Sequence, residues 1–193
     1  MERVITMTTK RESQSIGELY KQLQQYGDRS QTQRDMEILW EATKDAKVYV
    51  EIGTMYGISA FVVWAGNPEC SISCYDIKDY PERQELHKDT PINFYQQKSP
   101  ECARGWIHPI DVLLLDGCHD YQDVLEDFAA WSPYLKEGGS ILFHDYSHSS
   151  PGVRQFCEKF IIGHSGWRVK HYPEDIVSCD TSYLWAVKKI GIK

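Results

Sequence analysis

The sequence predicts an α/β fold: an open, mostly parallel sheet with helices on both faces, an antiparallel final strand and an N-terminal helical cover. Three observations predict it. Strand-like runs alternate with helix-like segments from residue 48 onward, the pattern of parallel strands joined by crossover helices. The run Val112-Leu113-Leu114-Leu115 is apolar without interruption, as a strand buried on both faces requires. The last two strand-like runs, WRVKHYP (167–173) and YLWAVKKI (183–190), have no helix between them, so they are expected to pair antiparallel at the sheet edge.

In chain order, Ile16, Leu19, Tyr20, Leu23 and Tyr26 recur at helical spacing, with Gly27 as the expected stop. Met36, Leu39, Trp40 and Thr43 mark a second helix. Both precede the first strand, so residues 1–46 read as a cover on a core spanning 47–193, one domain in all. Strands are expected at 48–52, 71–77, 93–97, 111–117 and 140–146. Between the last two, Tyr121, Val124, Leu125, Phe128, Trp131 and Leu135 line one face of a long helix. Asp120 stands at its N-cap position, and Gly138 and Gly139 are expected to end it. A loop at 147–151, with Pro151 as a first-turn residue, leads into the next helix.

Composition narrows the function. A formal net charge of −7 argues against a nucleic-acid footprint, which needs a basic face. No apolar run is long enough to span a membrane, and the N-terminus lacks a signal-peptide core, so a cytoplasmic protein is expected. The six cysteines, Cys70, Cys74, Cys102, Cys118, Cys157 and Cys179, form no CxxC pair and read as free thiols.

Open parallel sheets bind ligands beyond the carboxyl ends of their strands. There the sequence places Glu51, Asp76, Ser99, Asp116 and Asp145, four acids among five residues. The first strand runs into Glu51-Ile52-Gly53-Thr54-Met55-Tyr56-Gly57-Ile58-Ser59. Gly53 and Gly57 permit a tight turn and close backbone approach. The GxGxxG fingerprint and the P-loop lysine are both absent, and Glu51 would repel phosphates while welcoming an amine or a sulfonium. Asp76, ending the second strand, suits the hydroxyls of a ribose. An adenosyl ligand without phosphates satisfies both features, and S-adenosylmethionine (SAM) is one.

VEIGTMYGIS, the acid in CYDI and above all DVLLLDGCHDYQDVLEDFAAWSPYLKEGGSILFHDY resemble class I SAM-dependent methyltransferases. The closest likeness is to small-molecule O-methyltransferases of the sugar and macrocin type, over about residues 45 to 160. The resemblance implies a Rossmann-like sheet with a reversed final strand. It also implies that Glu51, Gly53 and Gly57 face the methionine end of the cofactor, with Thr54, Ser59 and Asp116 in the same set. Asp76 and neighbouring Ile77 would hold the nucleoside, and Ser99 would face the adenine. Tyr56 either covers the cofactor or packs on the next helix.

Transfer of a methyl group to a hydroxyl needs alignment and removal of a proton. The candidates for the base are His119, His144 and Asp145. As neighbours in a strand, His144 and Asp145 are expected to point to opposite faces. The resemblance further implies a divalent cation, Mg²⁺ or Mn²⁺, on Asp116 and Asp145. Tyr146 stands where metal-dependent members carry another Asp or Asn, so a metal-free enzyme is an equal alternative. The expected partner is a small hydroxylated acceptor, and the N-terminal helices offer a surface for a homodimer. Two rivals compete: a non-catalytic SAM- or nucleoside-binding module, and an NAD-linked oxidoreductase weakened by the missing fingerprint.

Overall fold

The computed structural model describes residues 15–26, 31–147, 151–171, 173 and 182–190. Gly27, Cys179 and the centre of the 147–151 loop lie outside the described residues. Helices α1 (Ile16–Leu23) and α2 (Gln33–Thr43) come first. Each starts with a capping box, Ser15 with Glu18 and Thr32 with Asp35, which satisfies N–H groups that the first turn leaves free. Asp35 also reaches across the fold, where its other carboxylate oxygen accepts the N–H of Ser182 at 2.8 Å. That bond ties the N-terminal cover to the end of the chain.

The core follows as β1 (Val48–Ile52), α3 (Ile58–Gly66), β2 (Ser71–Asp76), α4 (Glu82–His87), β3 (Asn93–Gln96), α5 (Ser99–Cys102) and β4 (Ile110–Leu115). Then come α6 (Tyr121–Trp131), β5 (Leu135–Phe143), α7 (Gly152–Phe160), β6 (Trp167–His171) and β7 (Leu184–Lys188). The seven strands order as β3-β2-β1-β4-β5-β7-β6. Strands β1 to β5 pair in parallel, while β7 runs antiparallel to both neighbours. The reversed final strand, β7, is therefore present, and with β6 it forms the antiparallel pair expected at the sheet edge. It inserts between β5 and β6, because Leu184 and Ala186 are fully buried and need cover from both sides.

Alternation along β4 divides the core. Val112 and Leu114 face the α1–α2–α3 side, with Leu39, Phe61 and Tyr183. Leu113 and Leu115 face the α6–α7 side, with Trp131, Phe143 and Phe156. The period of two in a strand gives both layers from one apolar run.

Two boundaries differ from the sequence reading. The α6 helix stops at Trp131, followed by a 3₁₀ turn over Ser132–Tyr134 containing Pro133. Leu135 consequently belongs to β5, and Gly138 (φ +77°) lies inside that strand rather than ending the helix. Pairing jumps from Ile110↔Leu135 to Val112↔Ser140, so Lys136–Gly139 form an extended bulge. Asp120 does occupy the N-cap position of α6, but its side chain makes no capping bond.

His87, at the end of α4, is buried against the rings of Phe61 and Phe94. Burial lowers its pKa from 6.5 to about 4, against weaker support from the Tyr56 and Gly57 carbonyls. The unfolded chain thus takes a proton near pH 6.5 that the folded chain refuses until about pH 4. The stability this represents is full above 6.5 and lost as pH falls through that window, at most about 3 kcal/mol. Denaturant titrations of the protein and of His87→Phe from pH 7.5 to 4 should show the loss in the first and a flatter profile in the second.

Candidate active site

The parallel ladder continues one residue beyond the strands. Gly53 N–H donates to the Tyr75 carbonyl at 2.8 Å, Asp116 N–H to Ile52 at 2.8 Å, and His144 N–H to Leu115 at 3.1 Å. The tips of β1, β4 and β5 therefore stand side by side, in register. Beyond them opens a cavity of about 480 Å³, within the range of small-molecule sites. Among its walls are Gly53, Thr54, Ser59, Asp76, Ile77 and Ser99, together with Asp116, His119, His144 and Asp145.

The two glycines of the first turn are required by the protein itself rather than by room for a ligand. Both have left-handed φ, +82° at Gly53 and +79° at Gly57. A Cβ on Gly53 would collide with the Asp116 carbonyl. One on Gly57 would stand 2.5 Å from His87 Nε2 and 3.0 Å from the Phe94 ring. Gly53 still borders the cavity, whereas Gly57 lies behind it as the N-cap of α3. Tyr56 packs edge-on against Tyr80, with ring centres 5.4 Å apart.

Asp76 pins this turn. One carboxylate oxygen accepts the N–H of Met55 at 2.8 Å and the other that of Lys78 at 2.9 Å. Each oxygen keeps a lone pair beside the cavity, the arrangement that a ribose diol needs. Glu51 is placed deeper. It is fully buried, accepting hydrogen bonds from Ser59 Oγ (2.5 Å) and Tyr49 Oη (2.7 Å). It lies beneath the cavity floor, with Ser59 and Thr54 between it and the opening. Burial raises its pKa from 4.5 to about 7, against the lowering effect of the Ser59 and Tyr49 hydroxyls.

At the other end Asp116, His119, His144 and Asp145 converge. Strand alternation had placed His144 and Asp145 on opposite faces, but β5 ends at Phe143. Asp145 adopts a left-handed backbone, φ +56°, which swings its carboxylate to the same side as His144. The Nδ1 of His144 lies 3.0 Å from Asp116 Oδ1 and 3.4 Å from Asp145 Oδ2. His119 Nε2 lies 2.9 Å from the same Asp145 oxygen. His144 is buried, and neither ring nitrogen has a directed hydrogen bond among the described residues. Burial disfavours a charge on it, yet Asp116 and Asp145 outweigh burial and hold its pKa well above the ordinary value. Burial raises Asp116. It pushes Asp145 the same way, but His119 and His144 prevail and keep that carboxyl low. The Asp145 bond raises His119 against the effect of burial.

Three residues escaped the sequence reading. Gln31, ahead of α2, reaches the cavity wall, and its Nε2 donates to Tyr183 Oη at 3.3 Å. Asp127 turns inward from α6 to accept from Ser99 Oγ at 2.6 Å. His87 supports the glycine turn from behind. Only Asp127 left a signal, four residues before the buried Trp131 and so on its side of the helix.

Known proteins share this fold. Residues 50–146 match the family described as methyltransferase domain. The chain belongs to that family. It is a SAM-dependent methyltransferase of the class I fold. A protein of Acanthamoeba polyphaga mimivirus, itself uncharacterized, is 26% identical over 152 residues, covering 70% of this chain and 69% of its own. The O-methyltransferase of Bacillus cereus, solved in complex with SAH, superposes with a TM-score of 0.70 at 14% identity, covering 92% of each chain. The MycE methyltransferase of the mycinamycin pathway, solved with Mg and SAH, gives 0.60 at 16% identity, over 89% of this chain and 54% of that one. At such identities the two structures speak for the fold alone. Among the described residues no helix is long and apolar enough to cross a membrane.

The state of Glu51 gives this methyltransferase a measurable signature. Its folded pKa lies above the unfolded one, so the folded chain holds this proton more tightly. The contribution to stability is full below pH 4.5 and falls as pH rises through about 7, by at most about 3 kcal/mol. Unfolding in urea at pH 5 and pH 8 should show Glu51→Gln sparing the protein most of that decline, and an equal decline in both proteins would contradict the buried proton.

Proposed function

We propose that this methyltransferase transfers the methyl group of SAM to a hydroxyl oxygen of a small molecule, with His119 as the base. One observation carries the proposal: a single cavity joins the Asp76 carboxylate at one end to the His119–Asp145 pair at the other. The first suits a nucleoside and the second suits removal of a proton. When bound, SAM supplies an electrophilic methyl on a sulfonium.

The chain's own groups do the rest. Asp76 holds the ribose, already fixed by two backbone N–H groups so that little ordering remains on binding. The Asp116 carboxylate places negative charge near the cationic end, in a setting where water screens little. His119 is part-exposed on the cavity wall, and Asp145 fixes its ring at 2.9 Å. An imidazole oriented in this way takes the acceptor's proton as the methyl arrives, removing a charge that would otherwise build up on oxygen. His144 is buried behind them and acts through the two carboxylates it touches.

The donor set also fits a divalent cation. Asp116, His144 and Asp145 each offer one ligand atom, all within 4.8 Å of one another, with His144 Nδ1 3.0 Å from Asp116 Oδ1. Two hard oxygens and one imidazole nitrogen favour Mn²⁺ over Mg²⁺. A cation there would supply Lewis acidity to the acceptor hydroxyl.

Labelled SAM offered to a panel of hydroxylated small molecules tests the activity. His119→Ala should lower kcat by roughly 10²–10⁴-fold, while SAH still raises the melting temperature of the variant as it does for the parent. Undiminished turnover in His119→Ala would remove it as the base. Turnover unaltered by exhaustive EDTA would dismiss the cation, whereas loss restored by Mn²⁺ better than by Mg²⁺ would establish it.

A further inference from the structure

We infer that Arg83 is a positioning residue for the methyl donor, anchoring the turn after β2 so that Asp76 meets the ribose in a preset orientation. The inference rests on the SAM reading above. The Asp76 carboxylate is held from two sides. Met55 N–H comes from the glycine turn, and Lys78 N–H from the stretch 77–80 that joins β2 to α4. Ile77, Lys78 and Asp79 are all exposed, so burial of their own side chains does little to hold that stretch. Yet Ile77, Lys78 and Tyr80 border the cavity, and any movement of Lys78 moves a donor to Asp76.

The anchor is a buried cation. Arg83, in the first turn of α4, is 6% exposed and stands behind the cavity wall rather than on it. Its Nη2 donates to the Lys78 carbonyl at 3.3 Å and to Asp79 Oδ1 at 3.0 Å. The guanidinium also lies over two rings, 5.0 Å from the centre of Phe94 on β3 and 5.5 Å from that of Tyr80. One planar group thus ties two consecutive loop residues to the sheet, and the first of them donates to Asp76. The flat face of a guanidinium suits this double stacking in a way that an ammonium does not.

Stability does not account for Arg83. Taking a cation out of water is costly, and Nη1 is buried with no hydrogen-bond partner among the described residues. The Asp79 side chain is 61% exposed, so the ion pair returns little. An apolar residue of similar length at position 83 would strand no charge in the interior, because Asp79 already faces water. Replacements of that kind are often neutral or stabilising. What Arg83 supplies is the fixed path from Phe94 through Lys78 to the Asp76 carboxylate.

Calorimetry with SAH and its 2′-deoxy analogue, run beside thermal melts, tests the assignment. Arg83→Met should melt no lower than the wild type yet bind SAH roughly tenfold more weakly, because the freed turn must be ordered again on binding. The analogue offers Asp76 one hydroxyl fewer and should lose less, so the wild-type preference for SAH narrows. Wild-type affinity and preference in a folded Arg83→Met would overturn the inference, and so would an equal loss for both ligands. Amide exchange in the wild type needs no variant to fold. The Lys78 N–H should be protected before SAH is added, and protection that arises only with SAH would overturn the inference as well. Failure of SAH to bind the wild type would strike the SAM reading instead, which keeps the two failures distinct.

Discussion

The site depends on the continuation of the parallel ladder past the ends of its strands. Ile52 pairs with Leu115, and Leu115 with Phe143. Backbone bonds then carry the register one step further, to Gly53, Asp116 and His144. This step is possible only because position 53 lacks a Cβ, since any side chain there would strike the Asp116 carbonyl. A left-handed φ and a backbone collision act together at one residue, so glycine is demanded twice over. The position of Asp116 relative to the first turn, and with it the width of the cavity, follows from that contact.

Beyond the ladder the chain uses strain to gather charge. Asp145 holds a left-handed φ, rare outside glycine although Asp tolerates it better than most residues, at a cost of order 1 kcal/mol. In return its carboxylate reaches both His119 and His144, so two carboxylates and two imidazoles share one end of the cavity. A regular strand would have sent Asp145 to the opposite face. The cluster is thus a product of where β5 stops, and the stopping point is set by Tyr146, whose N–H leaves the β4 ladder to bond the Ser182 carbonyl at 2.8 Å.

Much of this was legible in the sequence, for identifiable reasons. Buried parallel strands need unbroken apolar runs, so β1 and β4 declared themselves, and the acids at the tips followed from where the strands end. What failed was local punctuation. Gly138 and Gly139 looked like a helix stop, yet Ser132-Pro133 ends α6 and the glycines form a bulge in β5. The antiparallel pairing of β6 and β7 was readable, but the insertion of β7 beside β5 was not, because pairing partners far apart in sequence leave no periodic trace. Gln31, His87 and Asp127 were missed for the same reason. Each acts through a residue distant in the chain, Tyr183, Gly57 and Ser99 respectively.

Those distant contacts also separate the two ends of the cavity. The Asp76 end is built from β1, β2 and the start of α5, braced by α6, all within the parallel half of the sheet. The His144 end touches the reversed half: the His144 ring packs edge-on against Tyr183 at 5.0 Å. Tyr183 in turn bonds Gln31, and Ser182 bonds Asp35 on α2. The N-terminal cover is thus joined to the His144 end through these bonds, while its apolar face packs on α3 behind the first turn. Gln31, Tyr183 and Ser182 thereby link residues far apart in the chain to the end of the cavity that gathers Asp116, His144 and Asp145.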